Sequence, residues 1–235
     1  MNAQKTALND YLKTAVLLFE DDFNRLEIKD SVNYLNKEWR PNLSSTNVKQ
    51  SAIVQNRLYL EVSADANHGA SVARTVPFDD GILQVDFRML DKGFNKKRGF
   101  HINFNDEDAT EFVHYGHVCQ VSITPTRVQL VDQFTGVHRN DVWALIKSGS
   151  AEKERKGREM VKDKYCKYPI NLELEEWGTL TLLFIKDELS VFINEKLIAC
   201  KKSPGFDHKF KKETVLALWN AAVEFDNFKI WSLDK

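Results

Sequence analysis

From residue 16 onward the chain is built of short runs in which apolar and polar residues alternate, with turn residues between them. Side chains two apart on an extended strand share a face, so such runs predict strands with one face buried. Residues 16–23 read as the first strand, after a lead over 1–15 that is helical or loose. Residues 52–62 predict a tight hairpin turning at Gln55-Asn56-Arg57. Runs at 71–78 and 82–90 follow, joined by Asp79-Asp80-Gly81, a hairpin-type turn. Next come 99–105, 113–124 and 126–133, the last two meeting at Pro125. The final third repeats the style at 179–185, 189–193, 197–200, 215–218 and 224–232. About a dozen strands spread over the whole length predict an all-β, two-sheet antiparallel sandwich, a single domain over 16–235.

One segment departs from this style. Residues 148–167 are dense in Lys, Arg and Glu with almost no apolar stripe. Ser150 is a good N-cap, and Glu152 and Glu154 in the first turn suit the helix dipole. The segment predicts a solvated helix inserted between strands, its interspersed acids speaking against a basic recognition helix.

Composition narrows the classes of partner. Lys and Arg number 33 against 34 Asp and Glu, a net charge of -1, so the broad basic footprint of a nucleic-acid binder is missing. No run approaches the roughly 20 apolar residues that span a bilayer. Residues 8–19 are partly apolar, but Asp10 and Lys13 interrupt them and no small-residue cleavage pattern follows, so no signal peptide is read there. Cys119, Cys166 and Cys200 form no CxxC pair, which indicates neither a disulfide framework nor a zinc knuckle. With 15 Phe, 6 Tyr and 5 Trp, the core is expected to be aromatic.

Familiar catalytic motifs are absent or broken. There is no GxxxxGK[ST], GxGxxG or HExxH. Gly69-Ala70-Ser71 lacks the second glycine of a nucleophile elbow. Glu224-Phe225-Asp226-Asn227-Phe228-Lys229 begins like the Glu-x-Asp-x-x-Glu of retaining jelly-roll glycosidases, but its last position is lysine.

Strand parity locates the candidate chemistry instead. Phe100, Ile102 and Phe104 take one face of their strand; His101, Asn103 and Asn105 take the other. By the same rule Asp86 and Arg88, Gln120 and Ser122, and Arg127 and Gln129 face away from the core. Planar donors and acceptors of this kind hydrogen-bond sugar hydroxyls. Asp86, Arg88, His101, Asn103, Gln120 and Gln129 are therefore expected to bind substrate, the alternative being a plain solvated sheet face. His68, beside Gly69, is a further binding candidate, and Trp39, in a polar loop, offers a sugar-stacking ring. Trp177, Trp219 and Trp231 are assigned to the core, and His138 and His208 are assigned nothing.

His114 and His117 lie three apart, on opposite sides of a regular strand, so they share a site only if the strand bulges; Gly116 makes that plausible. Imidazole titrates near neutrality, so either is a candidate general acid or base, with a core histidine as the alternative. Spacing sets no third metal ligand, so no cofactor is expected, and a divalent ion near His114 stays open.

Leu18-Phe19-Glu20-Asp21-Asp22-Phe23 at the start and Val223-Glu224-Phe225-Asp226-Asn227-Phe228-Lys229-Ile230-Trp231 at the end resemble the concanavalin A-like (laminin-G-like) jelly roll. His68-Gly69-Ala70-Ser71, Asn103-Phe104, Val113-His114-Tyr115-Gly116-His117 and Val128-Gln129-Leu130-Val131-Asp132 are similar to a narrower bacterial group. That is the 3-keto-disaccharide hydrolase, or family 16 glycoside hydrolase-like, group of planctomycetes and Bacteroidetes. Glu175-Glu176-Trp177 and Lys186-Asp187-Glu188-Leu189-Ser190-Val191-Phe192-Ile193-Asn194 fit it too. The resemblance implies an extracytoplasmic protein acting on, or binding, a glycan or small saccharide. The expected function is cleavage of a glycosidic bond, by a hydrolase or lyase using His114 or His117. The alternatives are a non-catalytic glycan-binding module on the same face and, as a third, a jelly roll with a structural role.

Overall fold

The computed structural model describes residues 2–29, 34–36, 39–42, 48–66, 68–92 and 98–233. Helix α1 (Asn2–Thr14) leads into β1 (Val16–Asp21), β2 (Arg40–Pro41), β3 (Ser51–Ile53) and β4 (Leu58–Glu61). Strands β5 (Ala70–Phe78), β6 (Gly81–Met89), β7 (Phe100–Asn105), β8 (His117–Thr124) and β9 (Arg127–Asp132) follow. Helices α2 (Asn140–Ile146) and α3 (Ala151–Met160) precede β10 (Tyr165–Pro169). The chain ends in β11 (Trp177–Ile185), β12 (Glu188–Ile193), β13 (Lys196–Lys202), β14 (Lys211–Leu218) and β15 (Ala222–Ser232).

The strands form two antiparallel sheets packed face to face, the jelly-roll sandwich. Sheet A has the order β13-β12-β11-β6-β15-β4-β3, with β1 also paired to β15; sheet B has the order β10-β9-β8-β7-β14-β5-β2. Phenylalanines from the two inner faces interlock. Phe100 of sheet B meets Phe87 and Phe225 of sheet A with ring centroids 5.0 and 5.1 Å apart, and Phe104 meets Phe184 at 4.9 Å. Tilted and edge-to-face pairs of this kind add ~0.5–1.5 kcal/mol each beyond the area they bury. No helix among the described residues is long and apolar enough to cross a membrane.

The Asp79-Asp80-Gly81 turn differs from the expected hairpin. Strand β5 pairs with β14 and β2 in sheet B, while β6 pairs with β11 and β15 in sheet A, so the turn carries the chain across the sandwich. Each aspartate anchors a loop belonging to a different sheet: Asp79 Oδ1 accepts from the Phe210 N–H at 2.6 Å, and Asp80 Oδ1 from the Lys186 N–H at 2.6 Å. A Cβ on Gly81 would stand 2.5 Å from the Trp231 carbonyl oxygen, so the crossing needs glycine. The polar row of β6 consequently lies on the outer face opposite to that of β7, β8 and β9.

The charged segment is a helix only in part. Ser150 Oγ caps α3 by accepting the Lys153 N–H, the helix stops at Met160, and 165–169 returns as edge strand β10. The additional helix α2 buries Val142 and Ile146 against Val161.

Trp39 is a core residue rather than a surface ring. It is 0 % exposed, its Nε1–H donates to Asp21 Oδ2 at 2.8 Å, and its ring packs on Phe19, Phe23 and Phe228. Asp21 is buried as well, with Oδ1 accepting from the Phe23 N–H at 2.8 Å and from Arg25 at 2.5 Å. The indole therefore satisfies a buried carboxylate, which explains its enclosure. Trp39→Phe should cost about 1–3 kcal/mol by leaving Oδ2 unpaired, and Trp39→Ala about 3–5 kcal/mol through the added cavity. Urea unfolding reads both losses.

Candidate functional site

The outer face of sheet B carries a cavity of about 560 Å³, within the usual size range of ligand pockets. Its floor follows from strand parity. With Phe100, Ile102 and Phe104 held in the core, His101, Asn103 and Asn105 must point out, beside Val215 and Ala217 of β14 and Gln120 of β8. Gln120 Nε2–H donates to Asn103 Oδ1 at 2.8 Å and Ser122 Oγ–H to Gln120 Oε1 at 3.1 Å, so the amides are already ordered.

Two walls rise from loops. The segment expected as the start of a strand is a tight turn over His114–Gly116, with φ of 54° at Tyr115 and 70° at Gly116, and β8 begins only at His117. The ladder between β7 and β8 shifts register just past it, and with His114 in the turn and His117 at the head of β8 both line one cavity. A Cβ on Gly116 would come within 2.2 Å of the Asp106 carbonyl oxygen. The turn is tied to the next loop: the His114 N–H donates to the His138 carbonyl at 2.7 Å and the Asn140 N–H to that of Phe112 at 3.0 Å. Helix α2 starts at Asn140, and its Trp143 stacks on His114 with centroids 4.6 Å apart. On the opposite wall, Trp219 lies parallel to His101 at 6.5 Å and packs on His68 at 5.6 Å. Gly69 admits it, since a Cβ there would crowd the indole at 3.3 Å.

The cavity holds five imidazoles and no charged side chain among its described lining residues. Burial lowers His138 to about 3, with His117 and His114 contributing, and lowers His101 to about 4, with His117 contributing. Burial and then His114 also lower His117 below its ordinary value. The rings of His117 and His138 are 4.7 Å apart, so placing charge on one opposes charge on the other. Burial thus keeps His101, His117 and His138 uncharged at pH 7, each with one N–H donor and one nitrogen lone pair that can accept a hydrogen bond or a proton. Two buried polar atoms of lining residues, His138 Nδ1 and Gln133 Oε1, have no hydrogen-bond partner. Among the described residues no group of three or more His, Cys, Asp or Glu is arranged to hold a metal ion.

Of the residues singled out from sequence, His68, His101, Asn103, His114, His117 and Gln120 meet in this cavity. Asp86 and Arg88 do not: they belong to β6 and stand on the outer face of sheet A. There Asp86 accepts from Thr179 at 2.6 Å and Asn227 at 2.9 Å, and Arg88 pairs with Glu224. The reason is the crossing at Gly81, which gives β6 the parity of β7 but the opposite sheet. Gln129 shares the outer face of sheet B, paired across from Ser122, but lies outside the cavity lining. The broken carboxylate motif of β15 also stands on sheet A, so neither Glu224 nor Asp226 reaches the cavity.

His138, Trp143 and Trp219 had no functional reading from sequence, yet all three line the cavity. Trp219 is 56 % exposed in the turn after β14 rather than in the core. Trp177 is also surface-lying, 39 % exposed under Arg57 and Arg88. The signal for α2 was available in Val142 and Ile146, four apart, after Asn140-Asp141.

No family model and no curated protein matches the chain. Solved structures do. A carbohydrate-binding module of family 66 from Bacillus subtilis aligns with a TM-score of 0.53 at 11 % identity, over 83 % of this chain and 96 % of its own. A laminarinase from Flavobacterium sp. UMI-01 aligns at 0.58 and 11 % identity, over 92 % and 99 %. A GlcNAcα1-4Gal-releasing endo-β-galactosidase from Clostridium perfringens aligns at 0.63 and 9 % identity, over 93 % of this chain and 63 % of its own. The fold is the concanavalin A-like jelly roll that the terminal motifs resembled.

Proposed function

We propose that the cavity on sheet B binds a saccharide and that the protein cleaves a glycosidic bond there by imidazole acid–base chemistry, as a hydrolase or lyase. The observation that carries the saccharide reading is an uncharged cavity walled by two indoles and floored by ordered amides. A hydroxyl supplies donor and acceptor together, whereas an ionic ligand would find no counter-charge in the lining. The carbohydrate-binding module and the two glycosidases among the solved neighbours support the same ligand class.

Double displacement by two carboxylates needs acids about 5 Å apart, and the described lining contains none. Acid–base work at this face is therefore assigned to imidazole, and within the cavity to His114 and His117. They stand on a turn whose left-handed residue, Tyr115, carries a strain of roughly 1–3 kcal/mol. Backbone strain and burial of the kind that lowers His117 cluster where chemistry is done. The missing carboxylates also favour a second reading, a glycan-binding module without turnover.

A glycan-array screen followed by product analysis on the hits separates the two. His114→Ala and His117→Ala, made singly, are expected to abolish cleavage while circular dichroism stays unchanged. Full activity in both variants would remove the acid–base assignment, and binding without product would leave the module. Trp219→Ala is expected to weaken saccharide binding about tenfold by loss of a stacking ring.

The neutral imidazoles also set a pH signature. Folded His101 and His138 titrate at about 4 and about 3, against an ordinary value of 6.5. The unfolded chain therefore binds more protons between those limits, and stability rises with pH there. Stability present above pH 6.5 should be lost as pH falls toward 4, and His101→Gln should flatten that loss. Urea midpoints across the range measure it; an unchanged slope would count against burial of neutral rings.

A further inference from the structure

The hydrogen-bond roles around His117 are dictated by what each neighbour can do. Glu213, on β14 directly across from Asn105, forms an ion pair with Arg40 through one carboxylate oxygen. Its other oxygen accepts from Asn105 Nδ2–H at 3.1 Å. An ionised carboxylate can only accept, so the amide must turn its NH₂ toward Glu213 and its carbonyl oxygen away. That oxygen lies 3.0 Å from His117 Nδ1. A carbonyl oxygen also only accepts, so Nδ1 must carry the proton. A neutral imidazole has one N–H, which leaves Nε2 with its lone pair.

We infer that the chain Arg40–Glu213–Asn105 holds His117 in the Nδ1–H tautomer, making Nε2 the proton acceptor of the cavity, with Asn105 and Glu213 as its positioning residues. The tautomer stands on the hydrogen-bond geometry; its use as the general base rests on the proposed function. Of the two histidines offered by the sequence, His117 is the one whose lone pair this network directs, and the base is assigned to it. Burial, which keeps this ring uncharged, keeps the lone pair available. The arrangement also gives the register shift between β7 and β8 a purpose, because it sets His117 opposite Asn105.

The test is the long-range proton–nitrogen correlation spectrum of the full chain with ¹⁵N-labelled histidine, at about pH 8, above the ordinary imidazole range. Wild type should show His117 with a protonated Nδ1 and an unprotonated Nε2. Asn105→Leu removes the acceptor and should shift the tautomer ratio toward Nε2–H by about tenfold, the worth of one such hydrogen bond. Glu213→Gln should move it less in the same direction, since glutamine can donate as well as accept and no longer forces the amide. Should Asn105→Leu not fold, Asn105→Asp keeps an acceptor, so it should keep the tautomer and raise the midpoint of the His117 titration. An Nε2–H tautomer in wild type, or an unchanged ratio in folded Asn105→Leu, would overturn the inference.

No saccharide enters these measurements, so a failed glycan screen and a failed tautomer assignment are told apart. Where a cleaved glycan is in hand, Asn105→Leu should lower kcat at least tenfold and displace the pH–rate profile. Asn105→Asp should restore part of the rate.

Discussion

The interlock of Phe100 and Phe104 with Phe87, Phe184 and Phe225 is the constraint on which the rest of the molecule depends. Because strand side chains alternate, fixing these rings between the sheets fixes every other residue of β7 on the outside. A one-residue slip would put His101, Asn103 and Asn105 into the core and the phenylalanines into water. Many kilocalories of apolar burial thus enforce the position of a few polar groups that could not have ordered themselves. The order of the amides on the floor is a secondary effect of the same clamp.

Above that floor the site is made by loops, and there the energetics run the other way. The turn over His114–Gly116 stores backbone strain and is held by cross-loop hydrogen bonds rather than by a ladder. It packs imidazoles close enough that His114 opposes charge on His117, and both oppose it on His138. Such a cluster is costly to assemble and weak as a stabiliser. It is also an environment of uniform neutrality, in which hydrogen-bond direction, rather than net field, tells one ligand from another. The near balance of charges over the whole chain is in keeping with that.

What could be read from the residues follows the range of the forces involved. Alternation is local, so most strands, and the inward faces of β6, β7, β8 and β9, were legible, as was the cap at Ser150. The sheet to which a strand belongs is not local. Strands β6 and β7 have the same parity, and only the crossing at Gly81 puts Asp86 and Arg88 on the far side. Trp39 sits in a polar stretch, and its burial is decided by a carboxylate 18 residues earlier in the chain. Trp219 follows an apolar strand, yet the turn after β14 places it in the open wall of the cavity. His138 has no periodicity around it at all; the bridge between Val113 and Arg139 brings its loop to His114. The histidine pair was recognisable because a glycine stood where the strand had to break.

The placement of β14 and β15 has a consequence for how this chain comes to be folded. Each lies inside a sheet, β14 between β7 and β5 and β15 between β6 and β4, and β15 also holds β1. During synthesis, neither sheet can be completed until residues 211–232 have left the ribosome; before then, strands β5 and β7 expose unsatisfied edges to one another's solvent. Assembly is accordingly dominated by contacts between distant parts of the chain, the topology associated with slow folding. The nascent chain spends its time with open strand edges of the kind that chaperones shield.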